Sequence, residues 1–268
     1  MSSLPEGIEV STIARLSAAG CVMPSEEVAA ALAEWPAMEA GEKVRRLDDY
    51  AARRERGEPP AYILGGVRFL DGWVKVGPGA FVPRPWTEAV ARVALDLLPP
   101  GGTVVDLGTG AGAIATAIAR AATSSQVWAT EVDAGALRWA RRNLDAHPNS
   151  TLLAGDLFQP LPPSLRDGVD VVVGCLPYVP TASLATLPAD FLAHEPAIAF
   201  DGGEDGLALV RRAIDDGRKW LRGGAWMVLE IGAGQGDPAT RFARELGYRE
   251  VQVRLDGDGD EAMVVGRR

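Results

Sequence analysis

The chain has 268 residues, 47% of them hydrophobic and 24% charged, with a net charge of −9. That suits one large soluble domain plus a small one, without the basic excess of a protein that grips nucleic acid phosphates. No apolar run of about eighteen residues marks a membrane span, and no basic-then-apolar N-terminus marks a secretory leader. Two cysteines, Cys21 and Cys175, and two histidines form no CxxC pair and no metal set, and point to a reducing cytoplasm.

Residues 1–58 read as a small helical domain. Ile8 to Ala19 and Ser25 to Ala33 are Ala-rich, with Ser25 placed as an N-cap behind Pro24. Met38 to Arg56 follows, with Val44, Leu47 and Tyr50 on one helical face. The basic pairs Arg53-Arg54 and Arg141-Arg142 read as solvated helix surface. This domain shows no chemistry of its own, which leaves partner recognition or simple packing as its role.

Residues 59–82 are expected to form a β-hairpin linker, with Ala61 to Phe69 and Gly72 to Val76 as its strands. Next comes Phe81-Val-Pro-Arg-Pro-Trp-Thr-Glu88. Its prolines fix an extended backbone that displays Arg84, and Thr87-Glu88 opens a helix over Ala89 to Leu98.

From Thr103 onward, strands and helices alternate, the pattern of a doubly wound, mostly parallel sheet. Thr103 to Leu107 is a short β-branched strand. Gly108, Gly110 and Gly112 then make a tight turn into a helix over Ile114 to Ala122. Such a turn lets backbone approach a ligand closely and offers free N–H groups at the helix N-terminus. Strands are expected at Val127 to Glu131, Thr151 to Ala154, Val169 to Gly174 and Ala225 to Ile231. Helices are expected at Ala134 to Ala146, Leu207 to Leu221 and Pro238 to Leu246. Glu250 to Leu255 and Ala262 to Val265 bracket the turn Asp256–Asp260 as a terminal antiparallel hairpin. Glu131 ends its strand about twenty residues beyond the glycine turn, where an acid accepts bonds from ribose hydroxyls. Asp156 reads either as an acceptor for an adenine amino group, with Leu157 packed on the ring, or as an ordinary polar strand end. Gly108, Glu131, Asp156 and Cys175 all fall at carboxyl ends of strands, where open α/β sheets bind ligands.

The run Asp106-Leu-Gly-Thr-Gly-Ala-Gly112 resembles motif I of the class I S-adenosylmethionine (SAM) methyltransferases. Together with Tyr62-Ile-Leu-Gly65, Pro83-Arg-Pro-x-Thr-Glu88, His194-Glu-Pro196, Asp201-Gly-Gly-x-Asp-Gly-Leu207 and Glu230-Ile-Gly-x-x-Gln-Gly236, it resembles the HemK-type protein-(glutamine-N5) methyltransferases that modify release factors. The resemblance covers residues from about 60 to the end. It implies a class I methyltransferase domain over residues 83–268, SAM as cofactor and no metal. Asp106, Gly108, Thr109, Gly110, Gly112, Glu131, Asp156, Leu157 and Cys175 would hold the cofactor. Cys175, Leu176, Pro177 and Tyr178 would stand at the methyl-transfer point, and Arg84, Thr87, Glu88 and Tyr178 at the acceptor.

Two departures stand out. The family's Asn-Pro-Pro-Tyr is Cys175-Leu-Pro-Tyr178 here, and Trp86 replaces a Glu. In the family the Asn oxygen and the next backbone carbonyl hold the substrate amide's N–H groups, and the Tyr packs on the amide plane. Cys is a poor acceptor, so the acceptor is expected to have moved away from a primary amide, with a release factor or a small molecule as partner. Cys175 is read as a small apolar residue rather than a thiolate, since no basic residue neighbours it in sequence. A silent SAM-binding protein and a DNA adenine methyltransferase are the competing readings; the acidic charge opposes the second.

Overall fold

The structure is a computed structural model that describes residues 4–255, 259 and 261–268. Two compact units divide the chain: residues up to 66 together with 188–194, and residues 67–187 with 195–268.

The first unit is helical: α1 Ile8–Ala18, α2 Pro24–Ala33, α3 Ala40–Arg54, α4 Pro60–Leu64 and α8 Ala189–His194. Its core is Leu16, Val28, Ala31, Leu47, Tyr50 and Ala51, all buried. Two expectations fail here. Residues 61–64 are helical, not strand, because Pro60 sits in the first turn, where no N–H is required, and Gly65 closes the end at φ 77°. Arg54 is not solvated surface. It is buried, and its guanidinium donates to Glu27 at 2.8 Å and to the Glu58 carbonyl at 2.8 Å. The unit also takes α8 from within the span expected to be methyltransferase domain, and the Tyr62 hydroxyl donates to the His194 carbonyl at 3.4 Å.

The second unit begins with a short antiparallel hairpin, β1 Val67–Phe69 and β2 Gly72–Val74, then α5 Thr87–Leu97. The main sheet follows: β3 Thr103–Leu107, β4 Gln126–Glu131, β5 Ser150–Ala154, β6 Val169–Gly174, β7 Leu221–Glu230, β8 Arg249–Leu255 and β9 Glu261–Arg267. Its order is β5-β4-β3-β6-β7-β9-β8. The first five strands of that order pair in parallel; β9 runs antiparallel to both β7 and β8. The turn expected at Asp256–Asp260 lies outside the described residues except for Gly259.

Helices α6 Ala113–Ala121, α7 Ala134–Leu144, α9 Ala208–Gly217 and α10 Gly236–Glu245 cover the sheet. The helix expected to reach Leu221 stops at Gly217, and β7 starts four residues earlier than expected. The reason is packing: a Cβ on Gly217 would stand 2.3 Å from Met227 Cε, so the chain turns where no side chain intrudes. A core cluster joins β3, β6 and β7 to α9 and α10 through Val105, Leu107, Val172, Ile214, Leu229 and Ala239.

Asn143 on α7 fastens the glycine-turn region to the segment just after the hairpin. Its amide nitrogen donates to the Lys75 and Ala111 carbonyls, each at 2.8 Å, and its oxygen accepts from the Lys75 N–H at 2.9 Å. Asn143→Ala strands these buried groups, at an expected cost of about 2–4 kcal/mol. Thermal unfolding should show a melting point several degrees lower; an unchanged one would mean the bridge carries no stability.

Candidate active site

Strand order places the site. β3 and β6 are neighbours in the sheet, yet the chain leaves β3 for β4 and β5 on one side and then crosses over to β6 on the other. At such a switch point the loops beyond the carboxyl ends diverge and leave a crevice. Residues 108–112 and 175–178 are those two loops.

The glycine turn is built for close approach. Gly108, Gly110 and Gly112 have φ of 60°, 59° and 86°. A Cβ on Gly112 would lie 3.2 Å from Ala140 Cα, so this glycine lets α6 and α7 pack. A Cβ on Gly110 would meet nothing within 4 Å, which leaves open space over the turn. Asp106 holds the turn from beneath: its Oδ2 accepts from the Thr109 hydroxyl at 2.5 Å and the Ala115 N–H at 3.1 Å. Its Oδ1 is buried with no hydrogen-bond partner among the described residues. Glu131, at the end of β4, accepts from the N–H groups of Gly110, Val132 and Asp133, each at 2.8 Å. Val132 beside it leaves 57% of its surface open, an apolar face at the strand end.

Not every expected cofactor residue is free to serve. Thr109 spends its hydroxyl on Asp106 and its N–H on the Thr130 carbonyl at 2.9 Å. Leu157 is buried in the core at φ 45°, with little surface left for a ring. The Asp156 carboxylate pairs with Arg212 at 2.6 Å. It stands at a strand end, as expected, but as one half of an exposed ion pair.

The acceptor loop is clamped from behind. The Gln235 amide donates to the Tyr178 carbonyl at 2.8 Å and the Asp205 carbonyl at 3.1 Å, while its oxygen accepts from the Gly232 N–H at 2.7 Å. Gly206 at φ 78° permits this: a Cβ there would stand 2.1 Å from the Tyr178 carbonyl. Leu176 turns into the core, and its Cδ2 lies 2.9 Å from where a Gly108 Cβ would be. The cofactor turn and the acceptor loop are thus in direct contact. Tyr178 is half-buried, and burial, with the charge of Glu230 next, pushes its phenol well up, so it stays neutral.

Among the expected acceptor residues Arg84, Thr87 and Glu88, it is Thr87, the first residue of α5, whose contact with this loop is seen. It is buried, and its hydroxyl donates to Cys175 Sγ at 3.9 Å. Arg84 is instead committed to buried Glu195, at 2.5 Å, and lies over the Phe81 ring at 4.5 Å. Glu195 also accepts from the Val82 N–H at 2.7 Å. The pair locks the Pro-Arg-Pro loop in place, and removing one partner would strand a buried charge. Glu88 accepts from the Leu70 N–H at 2.9 Å and so pins the turn of the β1–β2 hairpin. Cys175 is a half-buried thiol whose pKa is raised well above the usual range, by desolvation first and then by the Glu230 charge. That agrees with its reading as an unreactive small residue.

Gln235 and Glu230, both in the Glu230-Ile-Gly-x-x-Gln-Gly236 run, also reach this place, which the sequence alone does not signal. Glu230 ends β7. Gly174 is paired with Leu229, so Cys175 and Glu230 follow side by side. The Glu230 carboxylate is 2% exposed, and neither oxygen has a hydrogen-bond partner among the described residues. No group of three or more potential metal-ligating side chains occurs among the described residues, and no helix there is long and apolar enough to cross a membrane.

The buried acids make stability depend on pH. Desolvation pushes the Asp106 carboxyl up to about 7, and raises those of Glu131 and Glu230 as well. A carboxyl whose pKa is higher folded than unfolded leaves the fold most stable below its unfolded value, and stability falls as pH rises through the folded one. Asp106→Asn should therefore melt progressively higher than the parent as pH rises from 5 to 7.5. A constant gap across that range would contradict the assignment.

A family model described as a methyltransferase domain matches residues 104–193. The release factor glutamine methyltransferase of Gloeobacter violaceus is 40% identical over 219 residues, covering 80% of this chain and 76% of that protein. The enzyme of the same name from Geobacter sulfurreducens is 35% identical, covering 81% and 75%. Among solved structures, a methyltransferase from Pyrococcus furiosus superposes with a TM-score of 0.53 at 19% identity, covering 72% of this chain and 87% of that one. The parallel sheet with its terminal antiparallel strand pair is accordingly the class I methyltransferase fold. With 40% identity over four-fifths of its length, this chain belongs to the release factor glutamine methyltransferase family and is a SAM-dependent methyltransferase.

Proposed function

We propose that the enzyme methylates a side-chain nitrogen of a protein, with the glutamine amide of a cytoplasmic peptide release factor as its acceptor. The observation that carries this is the contact between the two loops. Leu176 packs against Gly108 while Gln235 holds Tyr178 from behind, so a flat group seated on Tyr178 lies next to the cofactor turn. The names borne by the relatives supply the substrate class.

The residues present fit SAM. The open space over Gly110 admits the ligand, and the buried Glu131 carboxylate stands where ribose hydroxyls donate. The orphaned Asp106 Oδ1 suits a donor such as the ligand's ammonium group, and exposed Val132 suits its adenine face. When bound, SAM supplies a methyl carbon already activated by the sulfonium. The protein's task is then alignment and exclusion of water, and no nucleophilic triad is required. Tyr178 supplies a plane for the amide, and the Leu176 carbonyl supplies one acceptor for its N–H groups.

Two measurements check this. Glu131→Ala should weaken SAM binding by about ten- to hundredfold in calorimetry, because the ribose loses a charged acceptor; unchanged affinity would remove Glu131 from the site. Labelled SAM, the full-length enzyme and an intact bacterial release factor should give a methylglutamine in the factor on mass spectrometry. Label that appears only in small molecules of a cell extract would instead support the altered acceptor that the Asn-to-Cys departure suggests.

A further inference from the structure

The two departures from the family pattern, Trp86 and Cys175, are far apart in sequence and meet at one buried group. Trp86 precedes α5, Cys175 follows β6, and both lie close enough to Glu230 to favour its charged form, as do Thr87 and Tyr178. All four stand beside the carboxylate, yet neither of its oxygens has a full hydrogen bond among the described residues. The groups that act on it most strongly are two hydroxyls, a thiol and an indole.

Such a carboxylate is costly to the fold. Buried acids are ordinarily paired or saturated with hydrogen bonds. This one offers up to about four acceptor positions, and none is filled by a full hydrogen bond among the described residues. It stands at the carboxyl end of β7, beside the residue that replaced the family's Asn. Trp86, still 47% exposed, supplies an aromatic surface at the same place.

We propose that Glu230 is a catalytic residue: its carboxylate accepts an N–H of the acceptor group, the contact that Asn makes in the family and that Cys175 cannot make. This rests on the nitrogen-acceptor reading above. One N–H of the amide is held by the Leu176 carbonyl and the other by Glu230, which leaves the nitrogen lone pair free. As the nitrogen–carbon bond forms, the carbon–sulfur pair returns to sulfur, and the surplus proton on nitrogen passes to the Glu230 carboxylate. Burial raises the pKa of this group, which equips it to hold that proton. The thiol at 175 is then no defect: it leaves room beside the carboxylate and does not compete for the substrate's donors.

The test uses the full-length enzyme, labelled SAM and an intact release factor, with Glu230→Gln, Glu230→Leu, Cys175→Asn and the double variant Cys175→Asn/Glu230→Leu. Glu230→Leu should lower kcat about a hundredfold with KM nearly unchanged, and Glu230→Gln, which keeps one acceptor oxygen, about tenfold. Cys175→Asn should restore at least part of the loss in the double variant. S-adenosylhomocysteine affinity should not change, and both single variants at Glu230 should melt no lower than the parent. Transfer by Glu230→Leu within twofold of the parent would overturn the proposal, and so would a fall in melting temperature for Glu230→Gln, which would make the carboxylate a structural group. If the parent itself labels no release factor, the nitrogen-acceptor reading fails. The melting comparison then judges Glu230 alone: a rise keeps it as a group held ready for a ligand's donor, and a fall ends that role.

Discussion

Parallel pairing of β3 with β6 is the constraint on which the site depends. Val104, Val105 and Asp106 stand opposite Val171, Val172 and Val173. That register brings the end of β3 and the end of β6 to the same level. From it follow the contact of Leu176 with Gly108 and the crevice beyond both strands. β7 adds the third wall through the same kind of pairing, and its last residue is Glu230. Three strand ends thus deliver the glycine turn, the 175–178 loop and a buried acid to one place, although the sequence separates them by dozens of residues.

The clamps around this place are mostly hydrogen bonds from side chains to backbone. Gln235 fixes the Tyr178 carbonyl, Asp106 fixes the glycine turn, and Glu195 fixes the Pro-Arg-Pro loop together with Arg84. Each leaves the loop it holds little freedom before a ligand arrives. That is where a transfer enzyme without a nucleophile of its own must put its binding energy, since alignment is most of the catalysis.

How much of this was legible follows from what kind of signal each part carries. The glycine turn was legible because three glycines between a β-branched strand and an Ala-rich helix have a backbone meaning that no packing overrides. Glu131 was placed by its spacing from that turn, and the structure sets it at the end of β4. Arg84 and Glu88 carry structural contacts that the sequence does not signal, because a charge beside a proline pair or at a helix start looks available. Their partners, Glu195 and the Leu70 N–H, are reachable only through the fold. The helix at Pro60–Leu64 was misread from an alternating pattern too short to outweigh Pro60 and Gly65. Glu230 lay in a quoted motif, yet nothing in a strand sequence tells whether an acid at its end finds a cation. That fact belongs to β6 and α5, not to β7.

The helical unit has a consequence for the order in which the chain can fold. It includes residues 188–194, and the Tyr62 hydroxyl bonds the His194 carbonyl across 132 positions of sequence. A ribosome builds the chain from its N-terminus, so α1 to α4 emerge long before α8 exists. The first unit cannot reach its final composition until β3 to β6 have been made. Closing so long a loop is entropically slow to begin with. The unit at the front of the chain is therefore completed only after β3 to β6 have been made, and the growing sheet is present while it waits.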